Sequence, residues 1–233
     1  MKIMTFNTQH CLNFIEQKID FQIMADTIKA LNPDIVGLNE MRGKGVDSEY
    51  DAQTSVLSAL TGMQYYYFAK AIDVGGPNPY GNAILSKIPL LSAETILVPD
   101  PEIRASNSET RCLLKAKLEG DITVLITHFG LNPDEQKNAV ETVLENIEKD
   151  KCILMGDFNV TPDDCILNPI RERMRDTAEC FKEPLLSFPS DKPEIKIDYV
   201  FVSPDVEVIS ADIPAIVASD HRPHVATVNI YGR

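Results

Sequence analysis

A buried strand that ends in polar side chains constrains this chain more than any other feature. Lys151 to Met155 turns apolar after its first residue and runs straight into Gly156-Asp157-Phe158-Asn159. Side chains alternate between the faces of a strand, so extended geometry carried to the end of this run points Asp157 and Asn159 to one side and Phe158 to the other. Gly156 lets another group come close to the backbone. Thr161-Pro162 then stops further ladder pairing, because proline has no N–H to give. A polar pair at the rim of a buried sheet serves a metal, a ligand or a turn; an Asx-type turn closing the strand is the plain alternative.

Other segments carry the same signature. Ile3 to Phe6 reads as a first strand that delivers Asn7 at its end. Asp20 to Leu31 places Ile23, Met24, Ile28 and Leu31 at helical spacing, Asn32-Pro33 stops it, and Asp34 to Glu40 follows as a buried strand. Strand, helix and strand within about forty residues form a βαβ-like opening, which gathers strand ends at one sheet edge. Glu40 stands at that edge. Gln53 to Leu60 is a second helix, and Tyr65 to Ala69 an aromatic strand whose tyrosines suit sheet packing. Residues 74–81 are a turn-rich loop before the strand Asn82 to Ser86, Leu90 to Val98 continues as strand, and 99–109 is polar loop.

Arg111 to Leu118 and Ile122 to Thr127 form an antiparallel pair around Glu119-Gly120-Asp121, and the pair delivers His128. Asn132-Pro133-Asp134-Glu135 begins a helix, with asparagine as cap, proline at the first helical position and glutamate three residues after the cap. Val140, Val143, Leu144 and Ile147 form its buried stripe. Residues 163–190 show no clear period, and Pro184 and Pro189 give them an irregular path. Ile195 to Ser203 is a strand bearing Asp198, followed by strands Val206 to Ile213 and Pro223 to Ile230, with Ser219-Asp220-His221-Arg222 between the last two.

Composition narrows the class. The 233 residues are 44% hydrophobic and 24% charged, an ordinary globular balance. No linker, repeat or low-complexity tract divides them, so residues 1–233 are expected to form a single domain, with a monomer as the default state. Twenty-two Lys and Arg against 35 Asp and Glu leave a net charge of −13. That field repels polyanions, so no duplex DNA partner is expected, and it attracts divalent cations. Five scattered cysteines without CxxC spacing suggest neither a thiolate zinc site nor a disulfide framework, and fit a cytoplasmic protein. Met1 to Asn7 is too short in apolar length for a signal peptide, and no run approaches a membrane span.

Asn7, Glu40, His128, Asp157, Asn159, Asp198, Asp220 and His221 nearly all fall at strand ends or adjoining loops. Carboxylates and amides are hard oxygen donors, which suit Mg²⁺, Mn²⁺ or Ca²⁺ better than zinc. Seven short blocks occur in order: Thr5-Phe6-Asn7, Leu38-Asn39-Glu40, Gly81-Asn82-Ala83-Ile84-Leu85-Ser86, Thr127-His128, Gly156-Asp157-Phe158-Asn159, Ile197-Asp198-Tyr199-Val200-Phe201 and Ser219-Asp220-His221-Arg222-Pro223. On these blocks the chain resembles the endonuclease/exonuclease/phosphatase superfamily, the metal-dependent phosphoesterases similar to DNase I.

The resemblance implies an α/β (α+β) fold, a four-layer α/β sandwich of two packed mixed β-sheets flanked by helices, with the site at one edge. It implies that Glu40 is the principal ligand of Mg²⁺ or Mn²⁺, assisted by Asn7 and Asp220. Asp157 would position or deprotonate the attacking water, Asn159 would hold phosphate and nucleophile in line, and His221, oriented by Asp198, would face a phosphoryl oxygen. His128 matches a histidine near the leaving group, and Asn82 and Arg111 are carried over as substrate contacts. Gln9 departs from the family pattern, which often has an acidic residue or histidine there.

The implied activity is hydrolysis of phosphate esters, as a phosphodiesterase or phosphatase, by in-line attack of an activated water. A small or mid-sized phosphoester is the expected substrate, chosen by loops 74–81, 99–110 and 181–194; no hairpin suited to membrane docking is visible. Two alternatives stand beside it. One is a nuclease for single strands or nucleotides, with the three tyrosines or Arg104 and Arg111 along a groove; the other is a non-catalytic binding module of the same fold.

Overall fold

In the computed structural model, which describes residues 1–230, the opening βαβ unit forms as its spacing predicts. β1 (Lys2–Asn7) leads through a small hairpin, β2 (Leu12–Asn13) and β3 (Lys18–Ile19), into α1 (Phe21–Leu31), and β4 (Ile35–Arg42) returns parallel to β1. The Asp20 carboxylate caps α1 by accepting from the Gln22 and Ile23 N–H groups, and Asn32 closes it in the left-handed conformation at φ 48°. α2 (Gln53–Thr61), β5 (Tyr65–Asp73), β6 (Pro79–Ser86), β7 (Leu90–Leu97) and β8 (Cys112–Leu118) follow. Then come β9 (Ile122–His128), α3 (Pro133–Asn146) and β10 (Cys152–Asp157). The aperiodic stretch contains only short pieces, among them α4 (Asn168–Arg171) and β11 (Arg175–Asp176), before β12 (Asp198–Val202), β13 (Glu207–Asp212) and β14 (His224–Asn229). The strand expected from Ile195 starts at Asp198 instead, because Ile195 bridges to Phe188 and the Ile197 N–H donates to Ser187 Oγ.

The strands form two six-stranded sheets, β13-β14-β1-β4-β6-β5 and β11-β12-β10-β9-β8-β7. Each is mixed, with one parallel pair at its centre, β1/β4 and β9/β10. Ile3, Ile35, Ile84, Leu114, Ile126, Ile153, Met155 and Val200 fill the space between the sheets. Met24 and Ile28 of α1 and Leu57 of α2 cover Met4, Phe6, Val36 and Leu38 on one outer face. Ala139, Val140 and Val143 of α3 and Ile170 of α4 cover Leu113, Leu125, Leu154, Tyr199 and Phe201 on the other. Each fully buried Ile, Leu, Val, Phe or Met contributes roughly 1.5–3 kcal/mol, which is why these strands are apolar on both faces. Helices, sheet, sheet and helices make the four-layer α/β sandwich. Among the described residues no helix is long and apolar enough to cross a membrane.

Alternation also sorts the strand ends. Ile3 faces between the sheets while Met4 and Phe6 face the helices, so Asn7 shares the inward parity of Ile3. Asp157 follows Ile153 and Met155, His128 follows Val124 and Ile126, and Asp198 precedes Val200 and Val202, all on inter-sheet positions. β10 runs parallel to β9, and β12 starts where β10 ends, with Asp198 opposite Asp157. The polar ends are therefore the core's own columns, continued one step beyond the apolar packing.

Candidate active site

Glu40 joins this group through an irregularity. Val36 and Leu38 of β4 face the helices, and unbroken alternation would send Glu40 after them. Instead the β4–β6 register jumps from Leu38 opposite Ala83 to Met41 opposite Gly81, so Asn39 and Glu40 share the place opposite Asn82, a β-bulge. Glu40 adopts a left-handed φ of 61°, a strain of order 1–3 kcal/mol for a residue with a side chain. Its Oε1 thereby reaches Asn7, whose amide donates to it at 3.0 Å. The same Asn7 amide donates to Asp157 Oδ2 at 3.0 Å, and Asn7 Oδ1 accepts the Gln9 N–H at 3.0 Å. Gln9, His10 and Cys11 all have positive φ, 46°, 49° and 64°, so backbone strain sits directly behind Asn7.

Behind them lies a polar link between the sheets. Asn39 is fully buried; its amide donates to Asn82 Oδ1 and to the Thr127 carbonyl at 2.8 Å each, and its Oδ1 accepts the Asp157 N–H at 3.0 Å. Asn82 donates to the Cys112 carbonyl at 2.9 Å and is 2% exposed. The residue expected to touch substrate thus braces Asn39 from behind.

The Asp157–Asn159 pair is not arranged by strand alternation as the sequence suggests. Asp157 Oδ1 accepts the Asn159 N–H at 2.9 Å and Asn159 is left-handed at φ 50°, which makes an Asx turn that ends the extended geometry at Asp157. The Asn159 amide donates to the Phe129 carbonyl at 3.0 Å, and Phe158 turns into an aromatic cluster with Phe129, Tyr199 and Phe201. Gly156 is required here: its φ is 149°, and a Cβ would lie 1.9 Å from the Thr127 carbonyl oxygen.

Two imidazoles flank Asp157. His221 Nε2 and His128 Nε2 each lie 3.6 Å from Asp157 Oδ2, too far for a hydrogen bond. On its other side His221 Nδ1 meets Asp198 Oδ2 at 2.9 Å, and the Phe188 ring packs on the imidazole with centroids 4.7 Å apart. His128 Nδ1 faces an Arg111 terminal nitrogen at 3.2 Å. A guanidinium only donates, so Nδ1 accepts and the His128 proton is on Nε2, toward Asp157. Arg111 also pairs with Glu109 at 2.9 Å.

These surroundings set the charges. Burial raises the Asp157 carboxyl above its ordinary range, with His221 opposing and Asp198 adding to the rise. Burial alone would depress His221, but Asp198, Asp157 and Asp220 together outweigh it and keep the ring cationic. Burial, then the Arg111 and His221 charges, push His128 well below its ordinary value, so it is neutral. Burial raises half-buried Glu40 and Asp220, and the Asp220 charge adds to the rise at Glu40. Tyr80 is half-buried beside Glu40, and desolvation and then the Glu40 charge raise its phenol.

The donor chemistry fits a hard divalent cation. Glu40 and Asp220 are oxygen donors close enough to repel each other, a condition that a cation relieves. Asp157, Asp198 and His221 also bring one ligand atom each within 4.8 Å. A protonated imidazole has no lone pair, so the charge on His221 disfavours an ion there.

Sequence reasoning left Asn39 and Tyr80 without roles. Asn39 is detectable as the residue of inward parity beside Glu40; Tyr80 lies in a segment read as loop and carries no such signal. Of the residues considered for a single strand, Arg104 pairs with Asp100 at 2.8 Å and Tyr67 Oη shares a hydrogen bond with Thr95 Oγ1 at 3.0 Å, whereas Tyr66 is exposed and Arg111 stands beside His128.

Residues 4–221 match the family model described as the Endonuclease/Exonuclease/phosphatase family. A search of the curated proteins finds no match. Among solved structures, an endonuclease/exonuclease/phosphatase from Beutenbergia cavernae has a TM-score of 0.83 at 22% identity, covering 99% of this chain and 71% of that one. A mannosyl-6-phosphatase from Bacteroides thetaiotaomicron has a TM-score of 0.76 at 14% identity, covering 98% and 99%. The human Nocturnin catalytic domain has a TM-score of 0.70 at 17% identity, covering 98% and 94%. At these identities the neighbours speak for the fold alone, whereas the family match spans strand ends from Asn7 to His221. This chain belongs to the endonuclease/exonuclease/phosphatase family.

Proposed function

We propose that the chain is a divalent-metal-dependent phosphoric ester hydrolase that acts on a small or mid-sized phosphomonoester or phosphodiester by in-line attack of water. The observation that carries this reading is the Asn7 amide, shared at 3.0 Å between Glu40 and Asp157, which couples a metal-type carboxylate to a base-type one. Glu40, Asn7 and Asp220 would hold the ion, Mg²⁺ or Mn²⁺ by donor chemistry. Once bound, that ion supplies charge stabilisation for the phosphoryl and leaving oxygens.

The chain's own residues do the rest. Asp157, with Oδ1 pinned by the Asn159 N–H, takes the proton of the attacking water through Oδ2. Asn159 serves by making the turn that aims it. His221, kept cationic by Asp198, faces a phosphoryl oxygen, and neutral His128 offers its Nε2–H toward the leaving oxygen. Arg111 fixes that tautomer through Nδ1. General acid–base help of this kind is worth about 10²–10⁴-fold in rate.

A small substrate is favoured by the net charge of −13 and by the name of one structural neighbour, a mannosyl-6-phosphatase. The unpaired cysteine spacing suits a reducing compartment such as the cytoplasm. The deciding experiment is a panel of chromogenic phosphomonoesters and phosphodiesters, sugar phosphates and oligonucleotides, assayed with Mg²⁺ or Mn²⁺ and with chelator. Turnover that chelator abolishes is expected. No turnover of any member with either ion would favour the non-catalytic binding module.

A further inference from the structure

The two halves of the His221–Asp198 pair come from separate parts of the chain. Asp198 opens β12, and His221 lies in the turn that precedes β14. One short segment, residues 187–190, touches both. Ser187 Oγ accepts the Ile197 and Asp198 N–H groups at 3.1 and 3.3 Å. On the other side the Ser190 N–H donates to the Asp220 carbonyl and Ser190 Oγ to the Ser219 carbonyl, at 2.6 Å each. Arg222 answers in the opposite sense: its N–H donates to the Ser187 carbonyl at 2.8 Å and its Nε to the Ser190 carbonyl at 2.7 Å. Between these contacts the Phe188 ring packs on the His221 imidazole, with centroids 4.7 Å apart.

The segment is itself closed. Phe188 and Ile195 exchange backbone hydrogen bonds of 3.0 Å in both directions. Ser187 and Ser190 are fully buried, and both hydroxyls find their partners within this network. A buried hydroxyl costs free energy unless it is bonded, so these contacts resist being given up. None of them reaches a reacting atom. What they fix is where the Asp198 carboxylate meets His221 Nδ1, a hydrogen bond of 2.9 Å whose strength falls steeply with angle and distance.

We propose that Ser190 is a positioning residue: with Arg222 it locks residues 187–190 onto the turn that bears His221, while Ser187 holds the start of β12, so that one segment sets the geometry of the His221–Asp198 pair. The role of His221 in turnover rests on the proposed hydrolysis, whereas the geometry does not. Loss of the Ser190 hydroxyl leaves the Ser219 carbonyl without that donor and frees the turn to move against β12. A displacement of about 1 Å in such an arrangement costs on the order of 10²-fold in rate.

The test follows, on the full chain without added metal, the imidazole Nδ1–H that His221 donates to Asp198, by proton–nitrogen NMR; the signal is identified by its loss in His221→Gln. The wild type is expected to show this proton in slow exchange with solvent. In Ser190→Ala its exchange should be at least about tenfold faster. Arg222→Met removes the Nε donor and should act in the same direction; it decides the matter if Ser190→Ala does not fold. Thr142→Ala, which removes a hydroxyl–carbonyl bond of 2.8 Å to Asn138 on α3, should leave the exchange unchanged. With bis(p-nitrophenyl) phosphate and Mg²⁺, Ser190→Ala should lower kcat at least about tenfold and keep KM within about twofold. The proposal is overturned if the wild type shows no such proton, if a folded Ser190→Ala or Arg222→Met protein exchanges it at the wild-type rate, or if Thr142→Ala speeds it equally. Faster exchange in the variants, with no turnover even by the wild type, would support the positioning role and count against the hydrolase reading instead.

Discussion

Replacing Asn39 by alanine tests whether the polar link behind the site holds the two sheets together. The side chain joins β4 of one sheet to β9 and β10 of the other, through the Thr127 carbonyl and the Asp157 N–H, and also bonds Asn82 Oδ1. Asn39→Ala leaves these three groups buried without that partner. An unmet buried group costs roughly 1–3 kcal/mol, so three give about 3–9 kcal/mol. Water entering the vacated space lowers this to about 3–6 kcal/mol, a large share of the ~5–15 kcal/mol by which domains are stable. Urea denaturation reads the loss as a fall in midpoint at nearly constant slope. Asn39→Asp should do no better, because its carboxylate keeps an acceptor for the Asp157 N–H but turns an acceptor toward two others. An Asn39→Ala variant within about 1 kcal/mol of wild type would refute the claim that this bridge stabilises the sandwich.

Gly156→Ala should prevent folding or cost more than about 4 kcal/mol, since a Cβ would lie 1.9 Å from the Thr127 oxygen at a φ of 149°; a soluble variant with a wild-type melting temperature contradicts this. The pH dependence of kcat/KM should be bell-shaped. Asp157 works ionised, so activity falls as pH drops through its raised value, and His221 works protonated, so activity falls as pH rises through its own raised value. A flat profile over about pH 5 to 10 would exclude this pairing of roles. His224 predicts an acid limit to stability: burial and then Lys196 push its imidazole down to about 3 from 6.5. Its Nδ1–H donates to the Asp198 carbonyl at 3.2 Å and Nε2 meets the Thr177 hydroxyl at 3.1 Å. The folded value lies below the unfolded one, so this contribution is complete above about pH 6.5 and is lost as pH falls toward 3. At about 1.36 kcal/mol per unit, acidification from pH 6.5 to 5 costs about 2 kcal/mol through this residue. His224→Gln should show a correspondingly shallower loss in urea melts; identical slopes would contradict the account.

Local rules made much of this molecule legible before its structure. The βαβ opening, the β8–β9 hairpin and the Asn132-Pro133 start of α3 follow from spacing, turn residues and capping. Asn7, His128, Asp157 and Asp198 could be found because each bounds a run that is apolar on both faces. Glu40 was found for its position, but its direction was hidden: period-two alternation points it at the helices, and only a bulge opposite Asn82 turns it inward. That bulge belongs to pairing between strands far apart in the chain. The Asx turn at Asp157 likewise replaced the expected alternation with a single left-handed residue. Residues 163–190 stayed unread because elements such as the four-residue α4 are shorter than the window in which periodicity registers. Ser187 and Ser190 carry no sequence signal; their partners lie in other parts of the chain.

The most direct test of the central claim is kcat/KM for an activated phosphodiester, bis(p-nitrophenyl) phosphate, with Mg²⁺ or Mn²⁺, for the wild type and for Asp157→Asn. A urea melt would verify that both proteins are folded. The account predicts hydrolysis that requires the ion and falls about 10²–10⁴-fold in the variant. Undiminished, metal-dependent hydrolysis by a folded Asp157→Asn protein would contradict it.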